Sequence, residues 1–431
     1  MNAFPKRALV FPCGSEIGLE LGRSLSVSAH VVLFGASSVA DHGEFAFSRY
    51  IRGLPTADDP AFPDAFNRAL GENAIGYVFP AHDDVLTLLA RLQDDGALAA
   101  EALVPDSRTA SLCRSKRATY ARFSGLLRTP AIYAMETLGE ASYPVFLKPD
   151  AGQGGKGTFL ARDARAARER LREYPGHLAL EYFSGREYTV DCFTDRRGAL
   201  RFCSPRLRSR VANGISVRTE PVESPALVRM AETVNRELAM RGAWFLQARE
   251  DGNGEPGLLE IAPRIAGASG IQRARGVNLA LLSLYDRMDV DVEIAATLGE
   301  DVVMDRALAG KYAIPVAYDT LYIDLDDTLV VRGGVNLDAV RLVYQCLNRG
   351  IRVVLLTRRR GDVGAILRRR RLAGLFDLVV EAPDDAPKSD FIESEGENAI
   401  FVDDSFAERE DVRRKTGIPV FDPSAIEALL D

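Results

Sequence analysis

The segment LYIDLDDTLV, residues 321–330, narrows the folds open to this chain more than any other stretch. An apolar run that stops at Asp324 and Asp326 reads as a buried strand with acids at its carboxyl end. Period-two spacing sends those two side chains to one face, and Thr328 follows two residues on. The arrangement suits covalent phosphoryl transfer. Asp324 can attack phosphorus while Asp326 protonates the leaving oxygen and later deprotonates the incoming water. Adjacent carboxylates repel each other and a phosphate, so a divalent cation is called for, and Mg2+ suits oxygen ligands. The same residues also fit a strand end followed by a helix cap, where Asp and Thr are favoured.

Three further strand ends bear on that choice. Thr357 closes IRVVLLT, Lys388 opens the KSDF of PKSDF, and Asp403 and Asp404 follow AIFV. The four signals, in this order, resemble the haloacid dehalogenase (HAD) phosphatase superfamily, from about Tyr318 to Asp431. The resemblance implies a Rossmann-like domain with Asp324 as nucleophile and Asp326 as general acid and base. Thr357 would bind the phosphoryl oxygens and Lys388 would neutralise charge. Asp324, Asp326, Asp403 and Asp404 would hold Mg2+. Neither the Thr328–Thr357 gap nor the Thr357–Lys388 gap can hold an inserted cap, since an independent core needs at least about 40 residues. The site is expected to be open, or covered by the other domain or a second chain.

With 431 residues, at about 150 per domain, two to four domains are expected, and 47% apolar content suffices for several cores. The net charge of −7 disfavours a general nucleic-acid surface. Cys13, Cys113, Cys192, Cys203 and Cys346 show no CxxC and read as free thiols in a reducing compartment. No run reaches the 18 or so apolar residues of a membrane helix, and the first residues are too soon broken for a signal peptide. A cytoplasmic protein is expected.

The first hundred residues alternate strand and helix: RALVFPC, GSEIGLELGRSL, AHVVLFG, AIGYVFPAHDD, VLTLLARLQ. That pattern predicts a doubly wound parallel sheet with ligands at the carboxyl ends of its strands. Gly14 and Gly18 make half a dinucleotide fingerprint, and tight packing at a helix N-terminus explains them as well.

Further on, the strand YPVFLKPD ends near Lys148 and runs into AGQGGKGTFLARD, where Gly152, Gly154, Gly155 and Gly157 surround Lys156. No helix follows and no Lys-Ser/Thr closes the loop, so it is neither a Walker nor a Rossmann loop. It is either a mobile hairpin tip or a hairpin that folds over a triphosphate. HLALEYFSGREYTVDCF follows, then WFLQARED and GLLEIAPRIAGASG. This succession resembles the ATP-grasp superfamily over roughly residues 1–315, nearest its carbamoyl-phosphate-synthetase-like and carboxylate–amine ligase branch. The resemblance implies that Lys116, Lys148, Gly154 and Gly155 contact or cover ATP phosphates. Glu181, Tyr182 and Phe183 would meet adenine and Glu187 the ribose. Gln247 and Glu260 would bind Mg2+, with Mn2+ as an alternative ion, and Arg264 would steady the transferred phosphoryl group. Arg206, Arg208 and Arg210 lie where an acceptor or phosphates would be held. One departure is plain: the family's usual Glu-x-Asn-x-Arg here has Ala262 in place of Asn, so a second ion would need another oxygen, such as Asp251 or water.

The arginine runs at 358–360 and 368–371 read as solvated surface in an acidic chain. Arg358 is the exception, placed to reach a substrate from beside Thr357. The expected fold class is multidomain α/β and α+β: a Rossmann-like domain over 1–108, a two-lobed ATP-grasp domain over 109–316 and a capless HAD-like domain over 317–431. The expected function is an ADP-forming carboxylate–amine ligase fused to a phosphomonoesterase. A small-molecule kinase in place of the ligase, or one half acting as a binding module, stays open. Expected partners are an amino-acid-like carboxylate and amine and a phosphomonoester, with a homodimer conceivable and no nucleic acid or membrane.

Overall fold

The computed structural model describes residues 4–141, 143–152, 154–294, 301–393 and 398–430. The chain divides into two compact units, Met1–Leu308 and Ala309–Asp431. Among the described residues no helix is long and apolar enough to cross a membrane, and no cysteine is bonded to another.

The first unit begins with β1 (Lys6–Phe11), β2 (Val31–Ala36), β3 (Tyr50–Ile51), β4 (Tyr77–Pro80) and β5 (Glu101–Ala102), a parallel sheet in the order β3-β2-β1-β4-β5. β1 shows why its sequence is a continuous apolar run. Ala8 and Val10 enter one core and Leu9 and Phe11 another, so both sheet faces are covered. Ser15 caps helix Glu16–Leu25, accepting from Gly18 N at 3.0 Å. Packing accounts for both early glycines. A Cβ on Gly14 would lie 2.0 Å from Asp41 Cγ, and one on Gly18 would lie 2.3 Å from Cys13 O. The strand order reverses between β1 and β4, which opens a crevice at their carboxyl ends.

Two antiparallel sheets follow. β6 (Ile132–Tyr133), β7 (Val145–Pro149), β8 (Phe159–Ala161) and β9 (His177–Glu181) form one, in the order β6-β9-β7-β8. β10 (Glu187–Thr194), β11 (Leu200–Ala212), β12 (Ile215–Pro221), β13 (Gly242–Glu250), β14 (Pro256–Ala262) and β15 (Met304–Asp305) form the other, in the order β14-β13-β10-β11-β12-β15. Helix Pro225–Glu237 sets Leu227, Met230 and Val234 against Val190, Trp244 and Leu258 on one face of this sheet. The opposite face is polar. There Arg206, Thr189, Gln247 and Glu260 lie side by side across four strands.

The second unit is again a parallel sheet, built from β16 (Thr320–Ile323), β19 (Arg352–Thr357), β20 (Leu378–Glu381), β21 (Ala399–Val402) and β22 (Val420–Phe421). A small ribbon of β17 (Val330–Val331) and β18 (Gly334–Val335) interrupts the run after β16. The sheet order is β20-β19-β16-β21-β22, so β16 lies at the reversal and its carboxyl end opens into the crevice. Leu321 and Ile323 enter one core and Tyr322 the other.

Inside the six-stranded sheet, Arg206 Nε donates to Asp191 Oδ2 at 2.7 Å, with both side chains 1% exposed. Gln272 Nε2 donates to the same oxygen at 3.0 Å, and Arg275 donates to Gln272 Oε1 and Ser204 Oγ. Removing one partner of such a pair leaves a buried charge unmatched. Asp191→Ala should therefore cost about 3–5 kcal/mol, while the double variant Asp191→Leu/Arg206→Met should lose less. The sole tryptophan, Trp244, is buried in the core on the other face of the same sheet, so urea unfolding followed by its fluorescence reads the first unit directly.

Candidate functional site

A cleft of about 1020 Å³ opens within the first unit between the four-stranded and six-stranded sheets. On its floor Gln247 and Glu260 are direct cross-strand partners. Thr189 lies beside Gln247, and its buried Oγ1 has no hydrogen-bond partner among the described residues. Lys148, from the end of β7, lines the cleft with Nζ 5.8 Å from the Tyr120 ring centre. Burial pushes its ammonium down to about 8, against the pull of Glu260, and Lys116 pushes the same way. Among the described residues it has no ion pair or hydrogen bond, so this positive charge is available to a ligand. Lys116 differs: its Nζ already donates to Asp150 O at 3.2 Å and Gly152 O at 3.3 Å, fastening the base of the glycine hairpin.

The hairpin closes on the β11–β12 turn. Gly154, Gly155 and Gly157 all have positive φ, as do Asn213 and Gly214 opposite. A Cβ on Gly214 would lie 2.4 Å from Gly154 C, so the two turns touch backbone to backbone. Only glycine allows both the conformation and the approach.

Arg264, at the end of β14, forms a two-pronged pair with Asp83, Nε to Oδ1 at 2.6 Å and Nη2 to Oδ2 at 2.9 Å. Burial opposes both charges. Even so, Asp83 and Arg264 hold each other ionised, the carboxyl below and the guanidinium above its ordinary range. Asp83 opens the helix after β4, so the pair ties the parallel sheet to the cleft floor. Arg306 reaches Glu16 Oε2 at 2.7 Å in the same way. Sequence reading marked neither Asp83 nor Glu16. The only signal was the acidic pair after AIGYVFPAH.

Other expected residues lie nearby but are already engaged. Glu187 is 3.0 Å from Arg208 Nε and 4.0 Å from Arg249 Nη1. Arg208 Nε nonetheless lacks an aligned hydrogen bond, and burial lowers its guanidinium's proton affinity. Tyr182 lies against the Arg249 guanidinium, which lines the cleft. Glu181 is held by Arg128 and the Ala131 amide, and Phe183 is buried under Arg128. Arg206 is committed to Asp191, and Arg210 to Asp305. Ala262 is buried opposite Phe245. Asp251, the alternative oxygen, is engaged in its own turn: Oδ1 accepts from the Asn253 and Glu255 amides and Oδ2 from Arg128 Nε at 3.4 Å.

In the second unit the carboxyl end of β16 meets those of β19 and β21. Lys388 Nζ donates to Asp324 Oδ1 and Asp403 Oδ2, each at 2.6 Å. One oxygen from each of Asp324, Asp403 and Asp404 lies within 4.8 Å of the others. Burial, with Asp403 adding to it, pushes the Asp324 carboxyl up to about 7 despite Lys388. Asp403 and Asp404 are raised too, chiefly by burial. Three crowded carboxylates, two of them on one lysine, fit a divalent cation. Thr328 Oγ1 accepts from Asp404 N and Thr357 Oγ1 from Arg359 N, which fixes both turns.

Two expectations change here. The Asp326 carboxylate is outside the cluster, paired instead with Arg359, so it is not among the grouped metal ligands. Arg358 turns away to Glu408 Oε1 at 2.9 Å and Asp384 O at 3.1 Å, and the next arginine faces the site.

A family model described as ATP-grasp in the biosynthetic pathway with Ter operon matches residues 173–305. That stretch includes the cleft floor with Gln247 and Glu260. The chain carries an ATP-grasp domain. Solved structures share its fold. The biotin carboxylase domain of Hydrogenobacter thermophilus 2-oxoglutarate carboxylase, a dimer with MgADP, ADP and bicarbonate, is 16% identical at a TM-score of 0.56, over 68% of this chain and 72% of that one. An L-amino acid ligase from Bacillus licheniformis is 19% identical at 0.51, over 66% and 74%. The ADP complex of N5-carboxyaminoimidazole synthetase from Staphylococcus aureus is 14% identical at 0.55, over 66% and 78%. No curated protein matches the chain.

The contact between the two glycine turns is directly testable. Gly214→Ala should push the ATP-grasp hairpin off its partner and speed tryptic cleavage after Lys156, with little change in cleavage elsewhere.

Proposed function

We propose that the chain is a bifunctional enzyme, an ADP-forming carboxylate–amine ligase joined to a phosphomonoesterase of HAD type. For the ligase half, the observation that carries the reading is the cross-strand pair Gln247–Glu260 beneath Lys148 and a closable glycine hairpin. ATP would lie with its phosphates between Lys148 and the hairpin amides. Gln247 and Glu260 would hold Mg2+ or Mn2+, which supplies charge neutralisation of the phosphates when bound. A substrate carboxylate oxygen attacks the γ-phosphorus, ADP leaves, and an acyl phosphate forms. An amine then attacks the acyl carbon, loses its proton, and expels phosphate. The closed hairpin keeps water from the acyl phosphate. Arg264, held by Asp83, presents a fixed positive charge to the transferred group. The amino acid ligase among the similar structures supports this class of chemistry.

In the second half, Asp324 attacks a phosphomonoester and Asp326 protonates the departing alkoxide. Water, deprotonated by Asp326, then cleaves the aspartyl phosphate and releases phosphate. Lys388 and Thr357 meet the phosphoryl oxygens, and Asp324, Asp403 and Asp404 would hold the cation.

Asp324→Asn should abolish phosphomonoester hydrolysis and leave ATP consumption intact, while Glu260→Gln should do the reverse. Mass spectrometry of metabolites incubated with ATP, Mg2+ and the Asp324→Asn protein should reveal two molecules joined with loss of water. A phosphorylated metabolite with no joined species would make the first half a kinase.

Lys148 gives a pH signature. With its ammonium at about 8 in the free protein, a bound triphosphate raises it again. Binding at pH 8.5 should take up a proton, and affinity should fall as pH rises past 8, because the free form is then increasingly neutral. Calorimetry in two buffers of different ionisation heat should show this uptake at pH 8.5, little at pH 7, and none at either in Lys148→Met.

A further inference from the structure

Three consecutive arginines, Arg358, Arg359 and Arg360, leave β19 at the rim of the second site. Two of them point to acids outside the catalytic group: Arg358 to Glu408 and Arg360 to Asp384. Arg359 alone of the three is paired with Asp326. Its own amide donates to Thr357 Oγ1 at 3.1 Å. Both partners are well exposed, Arg359 by 38% and Asp326 by 41%. An ion pair at that exposure is weak and exchanges readily.

That pairing conflicts with catalysis. Asp326 must reach the leaving oxygen, yet in this state a guanidinium holds it. On the floor Asp324, Asp403 and Asp404 crowd together and Lys388 pairs with two of them. That lysine and a cation held there would be taken up by the acids and the phosphoryl group, so a second anion on the substrate needs a separate cation.

Building on the phosphatase reading, we propose that Arg359 is the specificity residue of this site and that the substrate is a phosphomonoester bearing a carboxylate near its phosphoryl group. The substrate carboxylate takes the place of the Asp326 carboxylate on Arg359, like for like. Binding thereby releases Asp326 toward the leaving oxygen. A guanidinium fork suits such an exchange because it grips a carboxylate with two parallel hydrogen bonds. A phosphomonoester without the second anion leaves Arg359 on Asp326 and turns over slowly. The reading also fits a partner domain that handles carboxylates.

The test uses the full chain with Mg2+ and a matched pair of probes, 3-phosphoglycerate and glycerol 3-phosphate, which differ by a carboxylate in place of a hydroxymethyl group. Wild type should favour the carboxylate probe in kcat/KM by at least about tenfold. Arg359→Gln should bring the ratio to within about twofold of one, through a higher KM for 3-phosphoglycerate and a raised kcat for glycerol 3-phosphate as Asp326 is freed. Arg359→Lys should fall between the two, since it keeps the charge and loses the fork. A wild-type ratio near one, or a preference that survives Arg359→Gln, would overturn the proposal while leaving the phosphatase standing, provided Asp324→Asn abolishes hydrolysis. Hydrolysis of neither probe, nor of p-nitrophenyl phosphate, would overturn the phosphatase reading and this inference with it.

Discussion

Burying a charge is costly unless an opposite charge is fixed against it, and both clefts of this protein are shaped by that constraint. Asp191 and Arg206, Asp83 and Arg264, and Lys388 with Asp324 and Asp403 are each buried or nearly so and each matched. These pairs do more than neutralise. Asp83–Arg264 joins the first parallel sheet to the end of β14, and Lys388 draws together the ends of β16 and β21. Geometry at the sites therefore depends on pairs whose loss would unbalance charge, whereas Lys148 is buried with no ion pair or hydrogen bond among the described residues.

Much of this architecture is legible in the sequence because strand ends announce themselves. Apolar runs that stop at Asp324, Thr357 and Asp403 mark where a parallel sheet delivers polar groups, and the structure brings those residues to one crevice. The glycine hairpin was readable as a turn, and its alternatives narrow once Gly154 and Gly155 meet Gly214. The row Thr189–Gln247–Glu260 follows from antiparallel register, which period-two spacing anticipates. What the sequence hid was long-range partnering. Arg264 and Asp83 lie 181 positions apart, and no local pattern links them. The choice between Arg358 and Arg359 was equally hidden, since the first pairs with Glu408 and the second with Asp326, partners distant in sequence.

The departure at Ala262 takes on a physical meaning in the sheet. The side chain opposite it is Phe245, and the Arg264 guanidinium lies over that ring at 5.3 Å. The patch where a second oxygen ligand would stand is apolar and roofed by a cation. Gln247, Glu260 and the cleft-facing hydroxyl of Thr189 are grouped on the side away from it. The polar chemistry of the floor is concentrated toward the hairpin, beneath Lys148.

The glycine-to-glycine contact has a kinetic side. Lids that carry large side chains must extract them from pockets before they open, and the rate of that step is a property of the protein. Here Gly154 and Gly155 meet Gly214 backbone to backbone. On the ligase reading proposed above, the residence time of a nucleotide beneath it would be set by its own grip on Lys148 and the cleft floor. Such a gate leaves the pace of exchange to the guest.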